Sequence, residues 1–307
     1  KKELEDFIDT YNIGRLDKFI EIVEGIENTN YKIICNGIPY ILTIFEKRVQ
    51  EEDLPFFINL KLYLNKNNFK CPLPIKNKEG FIINSIKNKR GIIISFIEGK
   101  KVEIPESKEC YEIGKVMGNL HKLTKDFKER RENSLNLFEL KKIFNICLNS
   151  NFSNFHVIFN LLKEEIRYLE KILPKNLPCG IIHADLFKDN VFFDHNKVSG
   201  VIDFYFSCYD SLIYDIAIVI NDWCFINNGN DFNYDFSKSI LDGYNQSRKL
   251  SETEINSFNV ILRLAAVRIL VTRLHDYIFH PNDAILVKKD PYQYLNILTW
   301  HQKNRVY

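Results

Sequence analysis

A chain of 307 residues exceeds what one hydrophobic core usually holds, so two structural units are expected. With 45% hydrophobic and 27% charged residues and a net charge of +2, it has an ordinary globular composition that gives no reason to invoke nucleic acid or an anionic membrane as partner. Seven scattered cysteines with no C-x-x-C spacing argue for free thiols in a reducing cytoplasm and against zinc or a disulfide framework, while no apolar run approaches a membrane span and no signal peptide is visible.

In chain order, residues 3–12 read as a short helix. Residues 20–24, 31–36 and 40–45 alternate or are continuously apolar, the pattern of three antiparallel strands. Asn36-Gly37 is the hairpin signal between the second and third. Residues 51–64 have helical periodicity, Pro72 and Pro74 open an extended piece, and 81–86 pairs with 91–97 across 87–90. A boundary falls at Glu98-Gly99, where glycine lets the chain change direction. Beyond it the pattern turns helical over 107–122, 137–148, 154–173, the 210–222 region, 236–248 and 251–278. The expected fold class is α+β, with a small antiparallel-sheet lobe over 1–98 and a larger, mainly helical lobe over 99–307. A cleft between such lobes is where ligands commonly bind.

The most informative stretch is His183-Ala184-Asp185-Leu186-Phe187-Lys188-Asp189-Asn190, followed by Val201-Ile202-Asp203-Phe204. The apolar segments 191–193 and 198–202 around the polar turn 194–197 read as strand–turn–strand, which would return Asp203 to the level of Asn190. Phosphoryl transfer is the chemistry this suits. Its transition state is loose, so a protein mostly positions the reactants and neutralises phosphate charge. Asp185 is the candidate to orient an acceptor hydroxyl and take its proton. Asn190 and Asp203 offer the hard oxygens that Mg²⁺ needs, since that ion keeps several waters and asks little of the protein. The spacing H-x-D-L-x-x-x-N has the pattern of the kinase catalytic loop, with alanine where protein kinases have arginine. Composition alone can produce the bare motif in a chain rich in Asn and Asp; the following strands and the second carboxylate give it weight.

Further segments extend the similarity: Gly25-Ile26-Glu27-Asn28-Thr29-Asn30, Glu46-Lys47-Arg48, Asp53-Leu54-Pro55-Phe56-Phe57, Cys71-Pro72-Leu73-Pro74, Phe96-Ile97-Glu98-Gly99, Ile202-Asp203-Phe204-Tyr205-Phe206, Tyr214-Asp215-Ile216-Ala217 and Asn221-Asp222-Trp223-Cys224. With these, the chain resembles the homoserine kinase branch of the aminoglycoside phosphotransferase and choline kinase superfamily from about residue 5 to the C-terminus. The resemblance implies a bilobal protein-kinase-like fold, ATP and Mg²⁺ as cofactors, and L-homoserine as acceptor. The product would be O-phospho-L-homoserine, on the cytoplasmic route to threonine.

The resemblance also implies residue roles. The turn 25–30, with Gly25, would fold over the nucleotide phosphates, using backbone N–H groups and the amides of Asn28 and Asn30. It has one glycine fewer than G-x-G-x-x-G, and a plain hairpin loop is the alternative. Related phosphotransferases often carry a cation where Thr43 stands. Thr43, Phe45 and Lys47 share a strand face, making Lys47 the candidate to reach phosphates, or else a solvated strand end, with Arg48 pointing away. A carboxylate partner is one of Glu51, Glu52 and Asp53. Backbone groups over 95–98, including Phe96 and Ile97, would meet adenine. His183 braces the catalytic loop in preference to acting as a base, and Asp215, near a helix start, anchors in preference to catalysing. For the acceptor, Asp222 takes the ammonium, and Arg268 and Arg273 take the carboxylate bidentately. An arginine buried on so apolar a helix needs an anion, and a salt bridge to a carboxylate such as Asp276 is the competing account. Two other readings stay open: a kinase for another small alcohol (choline, an aminoglycoside or methylthioribose) and a nucleotide-binding pseudokinase. The joint presence of Asp185, Asn190 and Asp203 argues against the latter.

Overall fold

The computed structural model describes residues 2–22, 28–45, 50–150, 152, 155–279 and 289–306. The chain divides into a sheet unit, Lys1–Gly99 with Ser199–Tyr205, and a helical unit, Lys100–Val198 with Phe206–Tyr307. Ser199–Tyr205, which sequence reasoning assigns to the helical part, therefore belongs to the sheet unit.

In the sheet unit, helix α1 (Lys2–Ile8) precedes β1 (Leu16–Ile22), β2 (Asn28–Cys35) and β3 (Ile38–Phe45); α2 (Leu54–Lys66), β4 (Asn84–Ile86) and β5 (Lys89–Ser95) follow. The strands form one antiparallel sheet in the order β1-β2-β3-β5-β4. Asn36 and Gly37 both adopt positive φ (47° and 79°), which is what a two-residue hairpin turn demands of those residue types. The β4–β5 turn is tighter than 87–90, because Lys87 and Asn88 alone take the left-handed conformation and pairing resumes at Lys89. β1 starts earlier than its apolar signal, since as an edge strand it leaves Phe19 and Ile20 exposed. The sheet is covered on both faces. Ile93 packs with Phe7, Ile8, Ile33 and Leu42, while its neighbours Ile92 and Ile94 pack with Phe45 and Leu54. This is the period of two along β5.

The helical unit contains α3 (Ser107–Leu123), α4 (Leu137–Leu148), α5 (His156–Ile172), α6 (Leu212–Trp223), α7 (Tyr234–Asn245), α8 (Glu252–Phe279) and α9 (Tyr292–Lys303). Between them run the short pairs β6 (Cys179–Ile182) with β9 (Cys208–Ser211) and β10 (Phe225–Ile226) with β11 (Asp231–Phe232), together with β7 (Val191–Asp194); β8 (Lys197–Val201) begins in this unit and ends in the Ser199–Tyr205 segment of the sheet unit. Helices α3 and α7 approach closely at glycines: a Cβ on Gly114 would strike the Ile240 carbonyl, and one on Gly243 the Tyr111 carbonyl.

One sequence expectation fails in α8. By length and composition this 28-residue helix is apolar enough to cross a membrane, although Arg263 and Arg268 interrupt the run as written. Its apolarity has another cause. Ala266, Val267, Leu270, Val271 and Leu274 form the middle of the unit's core, and a helix apolar on most sides is what a core helix looks like. Arg263 is buried there because its Nε and Nη2 donate to both oxygens of Glu165 on α5, at 2.7 and 2.6 Å, with Gln302 Nε2 donating to the same carboxylate. Arg263→Ala strands Glu165 and is expected to cost about 3–5 kcal/mol of stability. Urea unfolding measures this, and the Arg263→Met/Glu165→Leu double variant is expected to lose less.

Candidate active site

The segment His183–Asn190 leaves β6 and turns at Ala184, whose φ of 63° is left-handed and disfavoured for any residue with a Cβ. A buried carboxylate holds that turn. Asp215, in the first turn of α6, accepts from the His183 N–H at 2.8 Å through Oδ2 and from the Ala184 N–H at 2.7 Å through Oδ1. His121 Nε2 stands 3.0 Å from Asp215 Oδ2, and its Nδ1 stands 2.9 Å from the Tyr244 hydroxyl. Since a carboxylate only accepts, Nε2 carries a proton; Arg248 Nη1 donates to the Tyr244 hydroxyl. His121 and Asp215 have no side-chain exposure. Burial alone would raise the Asp215 carboxyl, but the His121 hydrogen bond and charge, with His183, outweigh it and hold the carboxyl below its ordinary value.

Asp185 is fixed on several sides. Its N–H donates to His183 Nδ1 at 3.2 Å, so His183 braces the loop from within. Asn190 Nδ2 donates to the Asp185 carbonyl at 2.8 Å and to its Oδ2 at 3.0 Å. Arg268 Nη2 reaches Asp185 Oδ1 at 3.3 Å, and Nη1 donates to the Ala184 carbonyl. The carboxylate thus points in one direction with 13% side-chain exposure. Further along, Trp223 Nε1 donates to the Leu186 carbonyl at 3.0 Å, and the Lys188 N–H donates to Asp222 Oδ2 at 2.8 Å. Burial pushes the Asp222 carboxyl up.

The two arginines have different partners. Arg268 pairs with Asp185, whereas Asp276, eight residues on along the same helix, sits about 12 Å further up the axis. Arg273 lies apart from this network: its Nη1 donates to Gln293 Oε1 at 2.6 Å and to the Asp290 carbonyl at 3.1 Å. The helical unit therefore gathers His183, Asp185, Asn190, Asp215, Asp222 and Arg268, while Arg273, further along α8, bonds to residues at and just before the start of α9.

In the sheet unit, Asp203 also takes a left-handed φ of 61°. Two residues on, the Tyr205 ring packs edge-on against Phe45 and Phe57, with centroids 5.3 and 5.5 Å away. The Lys61 ammonium sits 4.9 Å from the Tyr205 centroid. Burial lowers the Lys61 pKa to about 8, partly offset by Cys71 and Asp203. Sequence reasoning passed over Lys61, although it sits four residues after Phe57 and three before Leu64 on the apolar stripe of α2. Asn28 and Asn30 belong to β2 rather than to a turn, and Asn30 Oδ1 accepts from Thr43 Oγ1 at 2.8 Å. Gly25 and Lys47 lie outside the described residues. Phe96 carries the Lys32 ammonium over its ring at 4.1 Å, and Ile97 packs against Gly200.

Taken by itself, Asn190 has its amide nitrogen committed to Asp185, which leaves Oδ1 as a hard oxygen of the kind a divalent cation takes; Asp203, in the sheet unit, carries a carboxylate of the same donor class.

A family model described as the phosphotransferase enzyme family, APH, matches residues 18–246. The chain belongs to that family and is a phosphotransferase. Within it, the full-length similarity is to homoserine kinases. Those of Parvibaculum lavamentivorans and Agrobacterium fabrum are each 40% identical, over 98% of this chain and 94% and 93% of theirs. Among solved structures, amicoumacin kinase hAmiN, in complex with AMP-PNP, Ca²⁺ and Ami, matches with a TM-score of 0.74 at 16% identity, covering 99% of this chain and 92% of that one. A microcompartment-associated aminopropanol kinase matches at 0.68 and 13% identity, covering 98% and 96%. The fold is the protein-kinase-like one.

Proposed function

We propose that the chain transfers the terminal phosphoryl group of ATP to the hydroxyl of L-homoserine, forming O-phospho-L-homoserine and ADP. One observation carries the choice of acceptor: the 40% identity to homoserine kinases over nearly the whole chain. The catalytic loop supports the chemistry. The acceptor oxygen bonds to the terminal phosphorus as the bond from that phosphorus to the bridging oxygen breaks, its electron pair leaving on ADP. Asp185 takes the hydroxyl proton, with its carboxylate already aimed by Asn190 and Arg268. Mg²⁺, when bound, neutralises phosphate charge; Asn190 and Asp203 each offer it one hard oxygen.

The sheet unit is assigned the nucleotide, with Gly25, Asn28, Asn30, Lys47, Phe96 and Ile97 as its candidates. For the acceptor, Asp222 is assigned the ammonium and Arg273 the carboxylate, while Arg268 becomes a positioning residue for Asp185. Arg268→Ala is expected to lower kcat about a hundredfold with the KM for ATP unchanged. Arg268→Lys restores only part, because an ammonium cannot reproduce the planar fork. Steady-state kinetics with ATP varied measures both.

On this reading the product is an activated homoserine, made in the cytoplasm on the route to threonine. Incubation with ATP, Mg²⁺ and L-homoserine followed by ³¹P NMR tests the reaction itself. The expected product is a phosphate ester coupled to the protons of the terminal CH₂; ATP hydrolysis without an ester contradicts the proposal.

A further inference from the structure

Lys61 is a buried cation that the catalytic loop does not use. Its residue is 3% exposed on α2, among Phe57, Leu60 and Leu64. Among the described residues no hydrogen bond or ion pair of its ammonium is formed; the Tyr205 ring centroid lies 4.9 Å away, and the charge of Asp203 favours its charged form. A ring face and the charge of Asp203 offset only part of what desolvating an ammonium costs. A leucine would fill the same stripe at no desolvation cost. What an ammonium adds is a point charge for an anion, in the unit that also holds Asp203.

We propose that Lys61, projecting from helix α2 beside Tyr205, is the cation that meets the phosphates of the bound nucleoside di- or triphosphate, in place of a lysine on strand β3. Thr43, the buried polar residue of that strand, is neutral and already hydrogen-bonded to Asn30. The assignment rests on the nucleotide half of the proposed function and is independent of the acceptor. Its physical content is specific: Lys61 contributes to binding phosphate and not to binding adenosine.

The test is calorimetric titration of the intact protein with ADP and with adenosine. Lys61→Met, which keeps the length and apolar stem, is expected to weaken ADP about 10- to 100-fold and leave adenosine within about twofold. Lys47→Met, made in parallel, is expected to weaken ADP less. An ADP affinity unchanged in Lys61→Met, equal losses for ADP and adenosine, or a larger loss in Lys47→Met each overturns the assignment. Should Lys61→Met not fold, ¹³C-lysine labelling of the unaltered protein decides instead, with Lys61→Arg used to identify the signal. The Lys61 Cε resonance then shifts with ADP but not with adenosine; a resonance indifferent to ADP overturns the proposal. Absence of any ADP binding by the unaltered protein removes the nucleotide reading and this assignment together. ADP binding without turnover of L-homoserine removes only the acceptor.

Discussion

Asp185→Ala is expected to lower kcat by about 10²–10⁴-fold while changing ATP affinity by no more than about threefold. The carboxylate is the group of the His183–Asn190 segment that Asn190 and Arg268 orient and that can take a proton. His183 Nδ1 is occupied by the Asp185 N–H, and Asn190 has no proton-accepting function at neutral pH. Asp185→Asn separates basicity from shape. It keeps the side-chain volume and an acceptor for Arg268, so a loss as large as that of alanine assigns the effect to the proton and not to packing. Near-normal turnover in either variant contradicts the assignment. Single-turnover kinetics with nucleotide affinity measured alongside makes the comparison.

Asp215→Ala is expected to cost about 3–5 kcal/mol of stability and most of the activity. The substitution leaves the His183 and Ala184 N–H groups and His121 Nε2 without their shared acceptor, all in a buried setting. It also frees the left-handed turn at Ala184, which places Asp185. The pH dependence follows from the depressed carboxyl. A carboxylate whose folded pKa lies below its unfolded value, near 3.8, contributes stability that is fully present above that value. The contribution is lost as pH falls through the lower folded pKa. Urea unfolding across pH 2–7 is therefore expected to show a steeper acid loss in the unaltered protein than in Asp215→Asn. Parallel curves contradict the role given to Asp215.

Local spacing made the catalytic loop readable, because eight consecutive residues bring Asp185 and Asn190 into contact whatever the rest of the chain does. Long helices such as α3 and α4 were legible for a similar reason: periodicity accumulates over many residues. Pairs two to four residues long, β6 with β9 and β10 with β11, leave too few alternations to register. α9 was legible in principle, since Tyr294, Ile297, Leu298 and His301 recur at helical spacing, but the polar residues between them hid it. Partners distant in sequence were out of reach. Arg268 visibly needed an anion, yet nothing in its neighbourhood pointed back 83 residues to Asp185. The anchoring position of Asp215 was readable from its place at a helix start; that it holds two particular N–H groups was not. Lys61 shows the opposite case, a charge on an apolar stripe that was visible in the sequence and whose meaning came only with its burial.

The central claim is phosphoryl transfer to L-homoserine, and ADP release under saturating Mg·ATP tests it most directly. The acceptors are L-homoserine, L-serine, choline, kanamycin and methylthioribose, each compared by kcat/KM. Turnover far stronger on L-homoserine than on the others is the predicted result. A preference for a different acceptor, or ATP binding with no turnover on any of them, contradicts it.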